Sequence, residues 1–119
     1  MEELSATQRT ELLADLRALR VQLDADICEL SLATAPVAPD EAIGRITRMD
    51  AIQMQQMAQA NLRTARRRLT QITTAMKRAA ADCYGECVEC GDDIGYPRLK
   101  ARPETPFCLD CQSRREQRR

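Results

Sequence analysis

The sequence predicts a mostly α-helical fold: a long antiparallel coiled-coil hairpin, then a small four-cysteine module and a short C-terminal helix. Three observations carry this. Tyr84, Tyr96 and Phe107 are the only aromatic residues among 119, too few large rings for a compact globular core. The remaining apolar residues are mostly Leu, Ile, Met and Ala, good helix formers that recur at helical spacing. Four of the six cysteines form two C-x-x-C pairs near the C-terminus.

The elements follow in order. Ser5-Ala6-Thr7-Gln8 has the form of a capping box, in which the Ser5 and Gln8 side chains satisfy the first free N–H groups of a helix. Leu12, Leu16, Leu19, Leu23, Ile27 and Leu30 then recur every three or four residues. The first helix is expected to stop before Ala35-Pro36-Val37-Ala38-Pro39, since a residue preceding proline avoids the α region. Asp40 suits an N-cap and Glu41 the positive end of a second helix running from about Asp40 to Cys83. Its stripe Ala58, Leu62, Ala65, Leu69, Ile72, Met76, Ala79, Cys83 alternates steps of four and three, a heptad seam, and Gly85 is the expected stop.

The short proline-bearing connection predicts a fold-back about Val37, with Leu23 near Ala51, Leu16 near Ala58 and Leu12 near Leu62. The end of the second helix would then overhang the first and be covered by the segment after Gly85. The expected division is a helical hairpin over 1–83, with its tip near 33–42, and a cysteine module with its helix over 84–119.

The formal charge of zero hides a division. Residues 1–50 carry ten acids and five arginines, and residues 51–119 carry thirteen bases and eight acids. Opposite charges flanking a shared seam favour pairing of the two helices. The runs Arg63, Arg66, Arg67, Arg68 and Arg114, Arg115, Arg118, Arg119 are solvated helix faces or, on the rival reading, phosphate-binding surfaces. No stretch approaches the ~20 apolar residues that span a bilayer. Met1-Glu2-Glu3 is acidic where a secretory signal would be basic, so a soluble cytoplasmic chain is expected.

Cys87-Val88-Glu89-Cys90 and Cys108-Leu109-Asp110-Cys111 are separated by seventeen residues. That is the spacing of a structural zinc site, in which four thiolates close a tetrahedron. Phe107 and Leu109 are placed to close over it, and Gly91 to let the backbone turn tightly. Disulfides do not suit a chain without an export signal, and a redox motif would need a βαβ context. Spacing alone leaves iron–sulfur ligation open. Cys28 and Cys83 are read as structural residues that do not bridge. The chain has no histidine, the metal site no open position, and no nucleophile–base arrangement is recognisable. An enzyme is therefore not expected.

The run Tyr84-Gly85-Glu86-Cys87-Val88-Glu89-Cys90-Gly91, with Ile94-Gly95, Arg98-Leu99-Lys100-Ala101-Arg102-Pro103 and Cys108-Leu109-Asp110-Cys111, closely resembles the zinc module of the DksA/TraR family of bacterial transcription factors. The resemblance implies one structural zinc held by Cys87, Cys90, Cys108 and Cys111. It also implies binding to RNA polymerase through the secondary channel, with a coiled-coil tip acting on the open promoter complex without sequence-specific DNA contact. The family tip carries Asp-x-x-Asp-x-Ala. Here Asp40-Glu41-Ala42 supplies the second half, and Val37 stands where the first aspartate would be. Asp40 and Ala42 are thus the expected tip residues, with Asp50 as fallback. Many members act with the stringent-response alarmone guanosine tetraphosphate. Arg102 matches one of the basic positions involved, whereas Gln112 and Gln71 stand at two others, with Arg68 nearby. A reduced alarmone response is implied. Two other classes remain: a zinc-stabilised coiled-coil adaptor for a different protein, and a DNA-binding zinc module.

Overall fold

The computed structural model describes residues 4–33 and 45–118. Four helices follow in order: α1 (Ala6–Ala33), α2 (Arg45–Ala80), α3 (Tyr96–Ala101) and α4 (Leu109–Gln117). The described residues hold no strand, and one antiparallel bridge joins Glu86 to Asp93. Two compact units form, one from Met1–Arg20 with Thr70–Arg119, the other from Val21–Leu69. The expected tip residues Asp40 and Ala42, and the prolines beside them, lie outside the described residues.

The start of α1 follows its capping box. The Gln8 N–H donates to Ser5 Oγ at 3.1 Å and the Ser5 N–H to Gln8 Oε1 at 3.0 Å, so two orphan donors are satisfied reciprocally. The end of α2 differs from expectation. The helix stops at Ala80 rather than Cys83, because Asp82 takes the left-handed conformation (φ 60°). The Cys83 N–H reaches back to the Arg78 carbonyl at 2.9 Å and that of Asp82 to Ala79 at 3.2 Å, the pair of bonds that closes a Schellman motif. Cys83 therefore lies past the helix, half-buried, its thiol 3.4 Å from the Arg78 carbonyl.

In the unit containing both termini, Leu12, Leu16, Ile72 and Leu99 are fully buried, joined by Ala75, Tyr84 and Ile94. Here the expected register fails. Arg20 Nη1 lies 3.8 Å from Met76 Sδ, so this part of α1 pairs with the last turns of α2. The residues that reach past the pairing belong to α1 and the segment just ahead of it. Leu4 packs on Gly85, and Glu11 contacts Tyr96 and Lys100. The segment after Gly85 does cover the end of α2, as a small cavity bounded by Gln71, Thr74, Ala75 and Arg78 on one side and Tyr84, Ile94 and Pro106 on the other shows.

In the Val21–Leu69 unit, Leu23, Ala58, Leu62 and Ala65 are buried. Leu23, Asp26, Glu29 and Leu30 share an open groove with Asn61, Thr64, Ala65 and Arg68, whereas the sequence register placed Leu23 beside Ala51. A heptad seam repeats, so sliding one helix by whole heptads preserves its pattern, and periodicity leaves the register open. Val21, Ala25, Cys28 and Leu32, also spaced four, three and four apart, form a second stripe of α1 that is exposed. Cys28 is thus a surface residue and not part of the core. Met49, Ile52, Met54 and Met57 of α2 are exposed as well.

Candidate metal centre

The site is built from two turns and the spacer between them. After α2, the Tyr84–Ile94 segment doubles back. The Ile94 N–H donates to the Gly85 carbonyl and the Cys87 N–H to that of Asp92, each at 2.8 Å. The Gly91 N–H closes the first C-x-x-C turn onto the Cys87 carbonyl at 3.0 Å. Gly91 has φ 79° with open space where a Cβ would stand, so conformation and not crowding calls for glycine there. At Gly85 (φ 96°) crowding adds to conformation, since a Cβ would come within 2.9 Å of Leu4 Cδ1. The second pair opens α4. The Cys108 sulfur caps the helix by accepting the Cys111 N–H at 3.5 Å, and Asp110 sits in its first turn. The Val88 N–H donates to the Pro106 carbonyl at 2.9 Å, which ties the two turns together.

These turns bring the Sγ atoms of Cys87, Cys90, Cys108 and Cys111 within 4.8 Å of one another. Four sulfurs about 2.3 Å from a tetrahedral ion would stand about 3.8 Å apart, and Cys90 Sγ and Cys108 Sγ are 3.7 Å apart. The geometry and the all-thiolate donor set fit a closed structural zinc site. Cys87, Cys108 and Cys111 are buried and Cys90 is exposed. Burial pushes the Cys87 thiol up, but backbone N–H groups at Cys90, Cys108 and Glu89 outweigh it and bring the thiol down to about 6. Burial, with the neighbouring thiols of Cys108, Cys87 and Cys90, pushes Cys111 up. A divalent cation held by all four sulfurs would displace the protons that the thiols still carry.

Of the flanking residues expected to close over the site, Phe107 is half-buried, with the Arg115 guanidinium 4.4 Å from its ring centroid. Leu109 does not close over it. It is 63% exposed, because as the first residue of α4 it points away from the ligands on either side. Arg114 and Arg115 lie in the last turn of α4, where positive charge suits the helix dipole. Arg102 is the C-cap of α3 and exposed; Arg68 is half-buried in the groove of the other unit.

Several residues that organise the module gave no sign in the sequence. Arg78 Nη2 donates to the carbonyls of Cys83 (3.2 Å) and Glu86 (2.9 Å), clamping the end of α2 to the first turn. The Tyr84 hydroxyl donates to the Pro103 carbonyl at 2.8 Å. Lys100 Nζ donates to Glu11 Oε1 (2.6 Å) and Asp15 Oδ2 (3.0 Å), and the Tyr96 hydroxyl donates to Glu11 Oε2 at 2.7 Å. Tyr84 and Pro103 are 19 residues apart and Tyr96 and Glu11 85, separations that leave no local pattern.

Lys100, and after it Tyr96, holds the Glu11 carboxyl below its ordinary range. A carboxylate depressed by folding contributes stability in full above its unfolded value, near about pH 4.3. It loses that contribution as pH falls through the folded value. The wild type is therefore expected to lose more stability than Glu11→Gln between roughly pH 5 and pH 3. Urea-unfolding midpoints across that range check this, and parallel profiles would refute it.

A helical protein carrying a compact four-cysteine centre is the class that fold and site define. Residues 84–117 match the family described as the prokaryotic dksA/traR C4-type zinc finger. These residues thus form a zinc-finger module of the DksA/TraR type, and with the four clustered cysteines they make one structural zinc the cofactor. It is 38% identical over 48 residues to the RNA polymerase-binding transcription factor DksA of Haemophilus influenzae, covering 40% of this chain and 33% of that protein. Over 53 residues it is 38% identical to the Caulobacter vibrioides protein of the same name, covering 44% and 37%. The chain thus matches about a third of the length of these curated relatives. The structure of transcription factor DksA2 from Pseudomonas aeruginosa is similar with a TM-score of 0.62 at 26% identity, covering 94% of this chain and 82% of that one.

Proposed function

We propose that this chain is a non-enzymatic, cytoplasmic transcription regulator that binds RNA polymerase through the secondary channel. The observation that carries this reading is the zinc-module match, shared with relatives named for binding RNA polymerase. No helix among the described residues is long and apolar enough to cross a membrane, which agrees with action in the cytoplasm. In this reading residues 84–119, with Cys87, Cys90, Cys108 and Cys111 as ligands, anchor the helical hairpin of residues 1–83. Asp40 and Ala42 at its tip modulate the open complex without sequence-specific DNA contact. The exposed Met49, Ile52, Met54 and Met57 supply apolar surface suited to a protein partner, since runs of exposed apolar side chains mark interaction sites. Arg102 and Arg68 are the basic residues offered to guanosine tetraphosphate, with a weak response expected from Gln71 and Gln112 at the other two positions.

Pull-down with core RNA polymerase, competed by a known secondary-channel protein, tests the partner. Retention that the competitor abolishes supports the reading, and no retention favours an adaptor for another protein. In vitro transcription from a ribosomal promoter tests the tip. Asp40→Asn is expected to lose most of the regulatory effect while still binding polymerase; equal activity of the two proteins would remove Asp40 from the mechanism.

A further inference from the structure

We infer that the first turns of α1 act as a clamp that retains the metal, with Glu11 as its positioning residue; the inference rests on zinc occupying the four-cysteine centre and is independent of polymerase binding. For the ion to leave, the turn bearing Cys87 and Cys90 must part from the one bearing Cys108 and Cys111. Covalently they are joined only by the seventeen residues that carry α3. α1 and Leu4, two residues ahead of it, grip the chain before each turn. Leu4 packs on Gly85, two residues before Cys87. Farther along, Glu11 and Asp15 hold Lys100, and Glu11 also accepts from Tyr96, so both ends of α3 are fixed on the approach to Cys108. Leu99, fully buried between Tyr96 and Lys100 in sequence, has its Cδ1 3.8 Å from the Cβ position of Gly85, so the two grips share one packed layer. Glu11 touches no ligand. Its two oxygens each take one donor from α3, so it joins α1 to both ends of that helix.

The test uses the full-length zinc-loaded chain and follows zinc transfer to a chromogenic chelator. Glu11→Gln and Lys100→Met are each expected to release zinc about two- to fivefold faster, the scale of partly exposed ion pairs. The double variant should accelerate release by less than the product of the two single effects, because both lose the Glu11–Lys100 pair. Tyr96→Phe, which deletes only a hydroxyl, should show a smaller acceleration. Raising salt from about 0.05 to 0.5 M should speed release from the wild type and leave Lys100→Met unchanged, since screening weakens only a pair that exists. Asp26→Asn, an acid of the other unit, should release at the wild-type rate. Wild-type rates for Glu11→Gln and Lys100→Met, with helical circular dichroism intact, would overturn the clamp, as would additive effects in the double variant. Fewer than one zinc per wild-type chain would remove the zinc assignment and the clamp with it.

Discussion

Stripping the zinc at neutral pH with a strong chelator is expected to unfold residues 84–117 and to free the N-terminal turns of α1 with them. The module is small, and its ten buried residues (Tyr84, Gly85, Cys87, Ile94, Leu99, Pro103, Glu104, Thr105, Cys108 and Cys111) include three of the four clustered cysteines. So short a segment cannot offset its chain entropy by apolar burial alone. A structural zinc contributes on the order of 10–16 kcal/mol at pH 7, so the metal's binding energy is the module's folding energy. Without the ion, burial opposes ionisation of Cys111, and the Cys90 and Cys108 sulfurs, 3.7 Å apart, are left with only a weak S–H···S hydrogen bond. Far-UV circular dichroism should show lost helix, and the fluorescence of Tyr84 and Tyr96 should change in step with zinc release. Cys108→Ala should reproduce the loss most fully, because it removes both a sulfur placed to hold the ion and the cap of α4, which serine would restore. An unchanged spectrum after complete chelation would refute a folding role for the metal.

Leu99→Ala is expected to cost about 2–5 kcal/mol, the range for truncating a fully buried leucine where neighbours cannot collapse into the space. Leu99 is 0% exposed on a six-residue helix. Such a helix is too short to persist by its own hydrogen bonds, so its place depends on this one apolar anchor. Its neighbours Tyr96 and Lys100 carry the contacts to Glu11, so truncation should also accelerate zinc release beyond what Lys100→Met produces. Thermal unfolding of the zinc-loaded protein measures the first effect and chelator transfer the second. Leu109→Ala is the control. Also leucine, but 63% exposed, it should change stability by less than about 0.5 kcal/mol. Equal effects of the two truncations would refute the packed layer around α3.

Most of what concerns the metal was legible in the residues. Two C-x-x-C pairs seventeen residues apart specify a tetrahedral thiolate site wherever the chain places them, because each turn is local and the ion supplies the long-range contact. The capping box at Ser5 and Gln8 was equally legible, since a cap is decided within four residues. The Asp82 turn was not. Glycine is the usual left-handed residue, and Gly85 drew the expectation three residues too far.

The sequence by itself determined that there would be two long helices with an inward seam, and that four cysteines would gather. Only the tertiary structure decided which residues face each other: Arg20 at Met76, Leu23 in the groove with Asn61, Ala65 and Arg68, and Glu11 at Tyr96 and Lys100. The physical reason is the symmetry of the signal. Periodicity and spacing are properties of a segment and survive displacement along its partner, whereas register comes from contacts made once. In the unit built from both ends of the chain these are the packing of Leu4 on Gly85 and the bonds of Lys100 to Glu11 and Asp15.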